Sequence, residues 1–371
     1  MSADDPTPAT PAIGDEHDHD HEDDRDRHLV PEFLTTAWLS DVMHAEVSGF
    51  TARRIGDGLV GMNLRLRLQG APSLPQTVVA KLPSPDPTSR ATGIALRNYE
   101  REVMFYRHLA DTLDIRVARC YAADWDAATG DFVLLLEDLA PAAQGNQLTG
   151  CSVEQARTAV LELAKMHGPR WNDPLLYGHE WLSRRTGPDD AAQLAGLWAM
   201  LVPGFMATYT KYLQPDQIDL IERFGERITD WVEGRGDELT VTHGDYRLDN
   251  LMFATPEGGY AVATVDWQSP GHGPCTGDLS YFIGAGLVED DRRRVERSLV
   301  EEYVAALGGY DIEVDIDLIW HHYRRDTFAG VIMAVVASQV VGESERSEAL
   351  FSTMAMRHSR HALDHGALGL I

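Results

Sequence analysis

The segment that most constrains this chain is Val241-Thr-His243-Gly-Asp245-Tyr-Arg247-Leu-Asp249-Asn250, followed by Leu251-Met-Phe-Ala254, Pro256-Glu-Gly-Gly259 and Tyr260-Ala-Val-Ala-Thr-Val265-Asp266-Trp267. Two apolar runs around a glycine turn predict a β-hairpin. If Ala254 pairs with Val262, Asn250 falls opposite Asp266, with Cβ atoms about 4.5–5.5 Å apart. An amide oxygen beside a carboxylate is hard-oxygen ligation, and Mg2+ commonly takes one or two such protein ligands together with phosphate oxygens. Asp245, five residues before Asn250, lies on the loop facing that pair. There it can orient a substrate hydroxyl and accept its proton.

A glycine loop lies upstream. Ile55-Gly56-Asp57-Gly58-Leu59-Val60-Gly61 matches GxGxxG, a string that in a dinucleotide-binding fold opens a helix and is followed about 20 residues on by an acid. Here the glycines run into Asn63-Leu-Arg-Leu-Arg-Leu68, whose period of two predicts a strand, and the residue 20 positions after Gly61 is Lys81. This argues against an NAD-dependent oxidoreductase. A strand-glycine-strand hairpin with a lysine on the next strand is the nucleotide cover of a kinase, with Gly56, Gly58 and Gly61 over the phosphates and Lys81 reaching them. An ordinary hairpin turn is the other reading of the loop. A cation inside a sheet needs a partner. On a helix over Ile94–Ala110, Tyr99, Val103, Tyr106, Leu109 and Ala110 share one arc that contains Glu102, while Glu100 points away. Glu102 is therefore the candidate partner, against the alternative of a surface salt bridge.

The rest of the 371 residues sorts around these motifs. Residues 1–28 carry three prolines, alternating His and Asp, and ten acids against Arg25 and Arg27, and are expected to be a disordered tail. Its histidines could capture a divalent metal, though nothing fixes them in place. A helix is predicted over Leu34–Val47, strands over Thr51–Gly56, Asn63–Gln69 and Thr77–Leu82, and a central strand over Phe132–Glu137. Helices follow over Val153–Met166, Ala191–Tyr212, Pro215–Glu233, Val288–Leu307 and Leu318–Val341. The pattern predicts an α+β chain with a β-rich N-terminal lobe (29–140) and a helical C-terminal lobe (141–371).

With these residues in view, the catalytic segment resembles the HGDxxxxN loop of the aminoglycoside phosphotransferase and choline kinase-like superfamily, small-molecule relatives of protein kinases. Val265-Asp266-Trp267-Gln268 is similar to the protein-kinase DFG with Trp for Phe, and Gly277-Asp278-Leu279-Ser-Tyr281-Phe282 to the family's DLAxF element, whose Asp is usually structural. The resemblance covers residues 50 to about 340, and the wording is closest to ecdysteroid-kinase-like (CHK kinase-like) and acyl-chain-related phosphotransferases. It implies a two-lobed protein kinase-like fold, ATP and Mg2+ as cofactors, Asp245 as base, and Asn250 and Asp266 as metal ligands. Lys81 and Glu102 become the phosphate-binding pair. Glu137 and Leu139 lie in a hinge, Leu136 to Leu139, whose backbone meets adenine. Arg247 takes the place of a γ-phosphate-contacting lysine, and His243 orders the loop.

The expected function is an ATP-dependent phosphotransferase acting on a small-molecule hydroxyl. A nucleotide-binding pseudokinase would be expected to lack Asp245, Asn250, Asp266 or Lys81, and all four are present. A net charge of −26 leaves no basic field for nucleic acid or an anionic membrane. Three scattered cysteines exclude a disulfide framework. No basic start precedes an apolar stretch, and the most apolar long run, Phe328 to Val341, is too short to span a bilayer. The expectation is a cytoplasmic enzyme with no obligate protein partner. For the acceptor, the apolar stretches Leu197–Met206 and Phe328–Val341 favour a steroid-like or acyl-bearing alcohol over an aminoglycoside or choline-like cation, although helix packing accounts for the same residues.

Overall fold

The computed structural model describes residues 24–56, 60–184, 186–342 and 344–371. Strands β1 (Val47–Ile55), β2 (Gly61–Gly70), β3 (Thr77–Pro83), β4 (Cys120–Trp125) and β5 (Phe132–Glu137) form one sheet in the order β1-β2-β3-β5-β4. All its pairings are antiparallel. Alternation drives β2: Leu64 and Leu66 are fully buried and Arg65 and Arg67 face outward. Strand β4 was not foreseen, because at the sheet's edge its residues are half-exposed throughout and carry no alternating pattern. Of the expected tail, residues 24–28 lie on the sheet instead: Asp24 Oδ1 accepts from Ala52 N (3.0 Å) and Asp26 Oδ2 from Arg54 N (2.7 Å). The remainder of that tail, and Gly58, lie outside the described residues.

The helix expected over Leu34–Val47 is shorter, α1 (Thr36–Met43), ended by His44 at φ 51°. The helix expected over Ile94–Ala110 is two, α2 (Pro87–Ala95) and α3 (Asn98–His108). Arg97, at φ 58°, breaks them. Helix α3 carries Glu102 to the inner face of the sheet.

The C-terminal lobe holds α4 (Val153–His167), α5 (Pro188–Tyr209), α6 (Pro215–Gly225), α7 (Ile228–Glu233), α8 (Thr276–Gly286), α9 (Glu289–Leu307), α10 (Ile316–Arg325), α11 (Phe328–Val340) and α12 (Glu345–Asp364). The helix expected over Pro215–Glu233 is α6 and α7, and that over Leu318–Val341 is α10 and α11. The second break places Asp326, 2% exposed, where it accepts from Thr276 Oγ1 at 2.7 Å and faces Arg235 at 3.4 Å. Helices α8 and α12 were not foreseen. The signal for α12 was present: Ser344 caps it, accepting from Ser347 N at 3.0 Å, and Leu350, Phe351, Met354 and Ala355 fall at helical spacing on its buried face.

The sequence reading expected α5, as a helix over Ala191–Tyr212, but did not weigh it as a membrane span. Pro188–Tyr212 spans 25 residues with a hydropathy of 1.3, enough by length and composition alone to cross a membrane. In the fold it packs through Leu194, Trp198, Phe205 and Tyr209 into the same core as α7 and α11.

Short strands position the catalytic segment: β6 (Ala143–Gln144) pairs with β8 (Leu251–Thr255), β8 with β9 (Gly258–Thr264), and β7 (Leu239–Thr242) with β10 (Gly271–Pro274). A continuous core runs from Val103 on α3 through Leu163 on α4 to Phe282 on α8 and Tyr303 on α9, so the two lobes share their packing. The β8–β9 register differs by one residue from expectation. Phe253, not Ala254, pairs with Val262, because Thr255 and Gly258 close a tight turn and Ala254 is left in a bulge. Val265 N therefore donates to Asn250 O at 3.0 Å, and Asp266 follows just beyond the pairing, at φ 66°.

Candidate active site

Two clusters of charge meet between the lobes. In the first, the pairing of β3 with β2 and β5 sets Lys81 opposite Asn63 and Leu134. Its Nζ lies 2.7 Å from Glu102 on α3 and 2.6 Å from Asp266 Oδ1. Burial alone would push the Lys81 ammonium down, but Asp266 and Glu102 outweigh it and hold it up at about 12. Burial would raise Asp266, and Lys81 holds it below the usual carboxylate range. Glu102, sharing its cation and 1% exposed, is pushed up by burial. Asp266 keeps 38% of its side chain exposed, so only one of the two acids is open to a ligand.

Trp267 locks this cluster to the next. Its backbone N donates to Glu102 Oε1 at 3.2 Å, and its indole stacks on Phe105 of α3 at 3.8 Å and lies 4.6 Å from the His243 ring. His243 orders the catalytic loop, as expected. Asp245 N donates to its Nδ1 (3.2 Å), which leaves the proton on Nε2 to be donated to Val265 O (3.1 Å).

In the second cluster, Asn250 Nδ2 donates to Asp245 O (2.8 Å) and Oδ2 (2.9 Å), and Tyr281 OH donates to Asp245 Oδ1 at 2.8 Å. Arg247 Nε lies 3.2 Å from both carboxylate oxygens and its Nη1 pairs with Asp249. Arg247 is thus no exposed loop cation. Asp249, to which the sequence assigned no chemistry, also accepts from Gln147 N (2.9 Å) and fastens the loop to the segment after the hinge. Asp278 on α8 accepts from His243 N (2.6 Å) and Gly244 N (3.0 Å), which fixes the loop's start. Gly244 is required there: it sits at φ 77°, and a Cβ would lie 2.3 Å from Ser269 O.

Tyr281, quoted in the DLAxF-like element without a role, is the residue of this cluster that sequence reasoning left out. It stands three residues after Asp278 on a helix, so the two share a face, and that spacing was its signal. Gly56 and Gly61 flank the β1–β2 turn, with Gly61 opening β2; that placement is a hairpin and not a strand-to-helix loop. The side chains of Glu137 and Leu139 are committed to the fold, Leu139 being buried. Glu137 accepts from Arg119 N (3.0 Å) and pairs with Arg116, its own backbone N donates to Arg119 O (2.8 Å), and Leu139 O accepts from Ala142 N (2.9 Å).

Beside the catalytic loop lies a cavity of about 90 Å³ whose lining includes Gly244, Tyr281, Trp231, Arg235, Ile332 and Met333. Helix α11 supplies its apolar wall. Helix α5 supplies none of it: within Leu197–Met206, Trp198 and Phe205 are buried in the core and Met200 is exposed to solvent. Asp278 is the one acid among the lining residues, and both its oxygens are taken by the loop.

Residues 63–314 match the model of the phosphotransferase enzyme family. The fold is shared with solved structures: an aminoglycoside phosphotransferase candidate from Ralstonia eutropha JMP134 (19% identity, TM-score 0.52, 89% of this chain and 97% of that one). Others are Plasmodium vivax ethanolamine kinase (9%, 0.52, 89% and 85%) and the aminoglycoside phosphotransferase APH(2")-IIIa, solved with GDP and kanamycin (13%, 0.52, 89% and 99%). Mouse acyl-CoA dehydrogenase family member 10 is 26% identical over 167 residues, 40% of this chain and 15% of that protein. A two-lobed kinase-like fold built around an HxDxxxxN loop defines a phosphoryl-transfer protein. The chain belongs to the phosphotransferase enzyme family.

Proposed function

We propose that this protein transfers the γ-phosphate of ATP to a hydroxyl of a small, largely apolar alcohol. One observation carries the reading: Asp245 is held by Asn250 and Tyr281 beside an open-sided cavity, while the neighbouring Lys81–Glu102–Asp266 cluster supplies a fixed cation for phosphate. Asp245 accepts the acceptor's proton as the bond to phosphorus forms. Lys81 binds the α- and β-phosphates, and Arg247 is close enough to the base to compensate charge on the transferring group. Gly56, Gly58 and Gly61 cover the phosphates, and the Leu139 N–H and neighbouring hinge carbonyls meet adenine.

The donor set fits magnesium. Asn250 Nδ2 is committed to Asp245, which turns the amide oxygen away from it, and Asp266 has an exposed carboxylate, so Asn250 and Asp266 would hold Mg2+ through hard oxygens. The ion would neutralise phosphate charge. An apolar alcohol suits the cavity better than an aminoglycoside or choline-like cation, because α11 gives it an apolar wall, Arg235 is its cation and its acid is already bonded. Three unpaired thiols suit a cytoplasmic site of action.

The test is ADP release from MgATP across a panel of hydroxylated acyl chains, sterols, choline and aminoglycosides, with Asp245→Ala as control. Turnover with an apolar alcohol that vanishes in the variant is expected. Calorimetry showing no MgATP binding would sink the reading, and turnover confined to cationic acceptors would overturn its acceptor half.

A further inference from the structure

Outside the catalytic loop, α9 and the end of α12 bring together Glu296, His361 and His365. His361 and His365 stand four apart on one helical face, the spacing by which a helix offers two imidazoles to one ion. Their Nε2 atoms each lie 3.2 Å from the same oxygen, Glu296 Oε2. Two ligands of a tetrahedral zinc bound at about 2.0–2.1 Å are separated by roughly 3.3 Å, so each imidazole already stands at that spacing from the carboxylate, and all three ligand atoms lie within 4.8 Å of one another. The three are deeply placed: Glu296 is 7% and His361 0% exposed, and the His365 side chain 10%.

Hydrogen bonding alone does not account for this arrangement. Glu296 Oε2 also has Arg292 Nη1 at 3.0 Å and Tyr323 OH at 3.2 Å, which makes four polar neighbours around one oxygen. A carboxylate oxygen offers about two lone-pair sites. His365 Nε2 makes no hydrogen bond despite its burial, and neither does His361 Nδ1. Arg292, itself 1% exposed and anchored on Asp364, grips both oxygens of the carboxylate and fixes its orientation, as the outer neighbours of a ligating carboxylate do. Tyr323 OH, 3.1 Å from His361 Nε2, adds a fourth oxygen beside the trio.

We propose that Glu296, His361 and His365 form a site for one divalent transition-metal ion, zinc being the best match, which ties the C-terminal helix α12 to α9. Two imidazoles and a carboxylate are the ligand chemistry of zinc rather than of magnesium or calcium. The role is structural. Helix α12 packs on α8, the helix that carries Asp278 and Tyr281, so an ion fixing α12 steadies the platform beneath the catalytic loop without touching it.

The test uses the full chain with His17, His19 and His21 replaced by alanine, which removes the tail's own metal-capturing residues. After chelator treatment it is titrated with Co2+ and then Zn2+. One equivalent of Co2+ should give an intense visible band of tetrahedral type that Zn2+ abolishes, and Zn2+ should raise Tm. His365→Gln, a change at a helix end that leaves the packed face in place, should weaken binding by about 100-fold or more. Glu296→Asp keeps the charge that Arg292 needs but withdraws the carboxylate, and should also weaken binding. Absence of the band at stoichiometric Co2+, binding that disappears with the tail histidines, or equal affinity in a folded His365→Gln variant each overturns the proposal.

Discussion

The two halves of the site are built from different materials. The nucleotide side is a buried ionic cluster in which Lys81 holds Glu102 and Asp266 at 2.7 and 2.6 Å. The proposed acceptor side is a cavity with an apolar wall of Trp231, Ile332 and Met333 and a polar side that includes Arg235, His272, Asp278 and Tyr281, the last of which bonds Asp245. Charges taken out of water need partners of fixed identity and position, whereas an apolar wall tolerates many side chains of about the right volume. On the proposed reading, phosphate binding is rigidly specified, and acceptor choice is free to vary on the same frame.

The largest effect should come where the two halves join. Asp245→Ala removes the proton acceptor and should lower kcat by about 10²–10⁴-fold, with MgATP affinity, followed by calorimetry, little changed. A variant retaining more than a tenth of wild-type turnover would show that Asp245 is not the base. Next comes Lys81→Ala. It should cost about 10²–10³ in kcat and also destabilise the fold by about 3–5 kcal/mol, because Glu102 is left buried without its cation. The pair of changes Lys81→Met with Glu102→Gln should restore most of the Tm but none of the activity. Recovery of both would mean that the cluster serves the fold alone.

That contrast also explains what could be read from the sequence. Lys81, Glu102, Asp245, Asn250 and Asp266 stood out in the sequence because few residue types occur at that spacing by default, and the structure brings Lys81 to Glu102 and Asp266, and Asp245 to Asn250. The turn from β8 to β9 was legible as a hairpin, yet its register was misjudged by one residue, since a bulge at Ala254 leaves no mark in composition. Strand β4 was hidden by its half-exposed edge position, and the breaks at Arg97 and at Asp326 by the absence of Gly or Pro. Tertiary partners made those breaks, Thr276 and Arg235 in the second case. Gln147 and Asp249 join the loop to the segment after the hinge through hydrogen bonds over long sequence separations, which periodicity does not report.

A smaller effect should follow from Tyr281→Phe, which deletes one hydrogen bond to a charged oxygen and leaves the ring stacked on His358. Such a bond contributes about 1.5–3 kcal/mol, so kcat should fall about tenfold or somewhat more while KM for ATP stays constant. An equal rise in both KM values with kcat intact would place Tyr281 in binding rather than in orienting the base.

The smallest effects should come from the acceptor wall. Met333 is half-buried on α11 and lines the cavity. Met333→Ala should raise KM for an apolar acceptor by about tenfold, since removing a few methylene contacts is worth about 1–3 kcal/mol, and should leave KM for ATP alone. Met333→Glu makes the sharper comparison. A carboxylate there would disfavour an apolar alcohol through the cost of desolvating it, but would assist a choline-like or aminoglycoside cation, which finds no free acid in the present lining. Specificity constants for the two acceptor classes, measured side by side in the two variants, decide the point. Loss toward apolar alcohols in both variants keeps the acceptor assignment, and a gain toward cations in Met333→Glu with no loss in Met333→Ala refutes it.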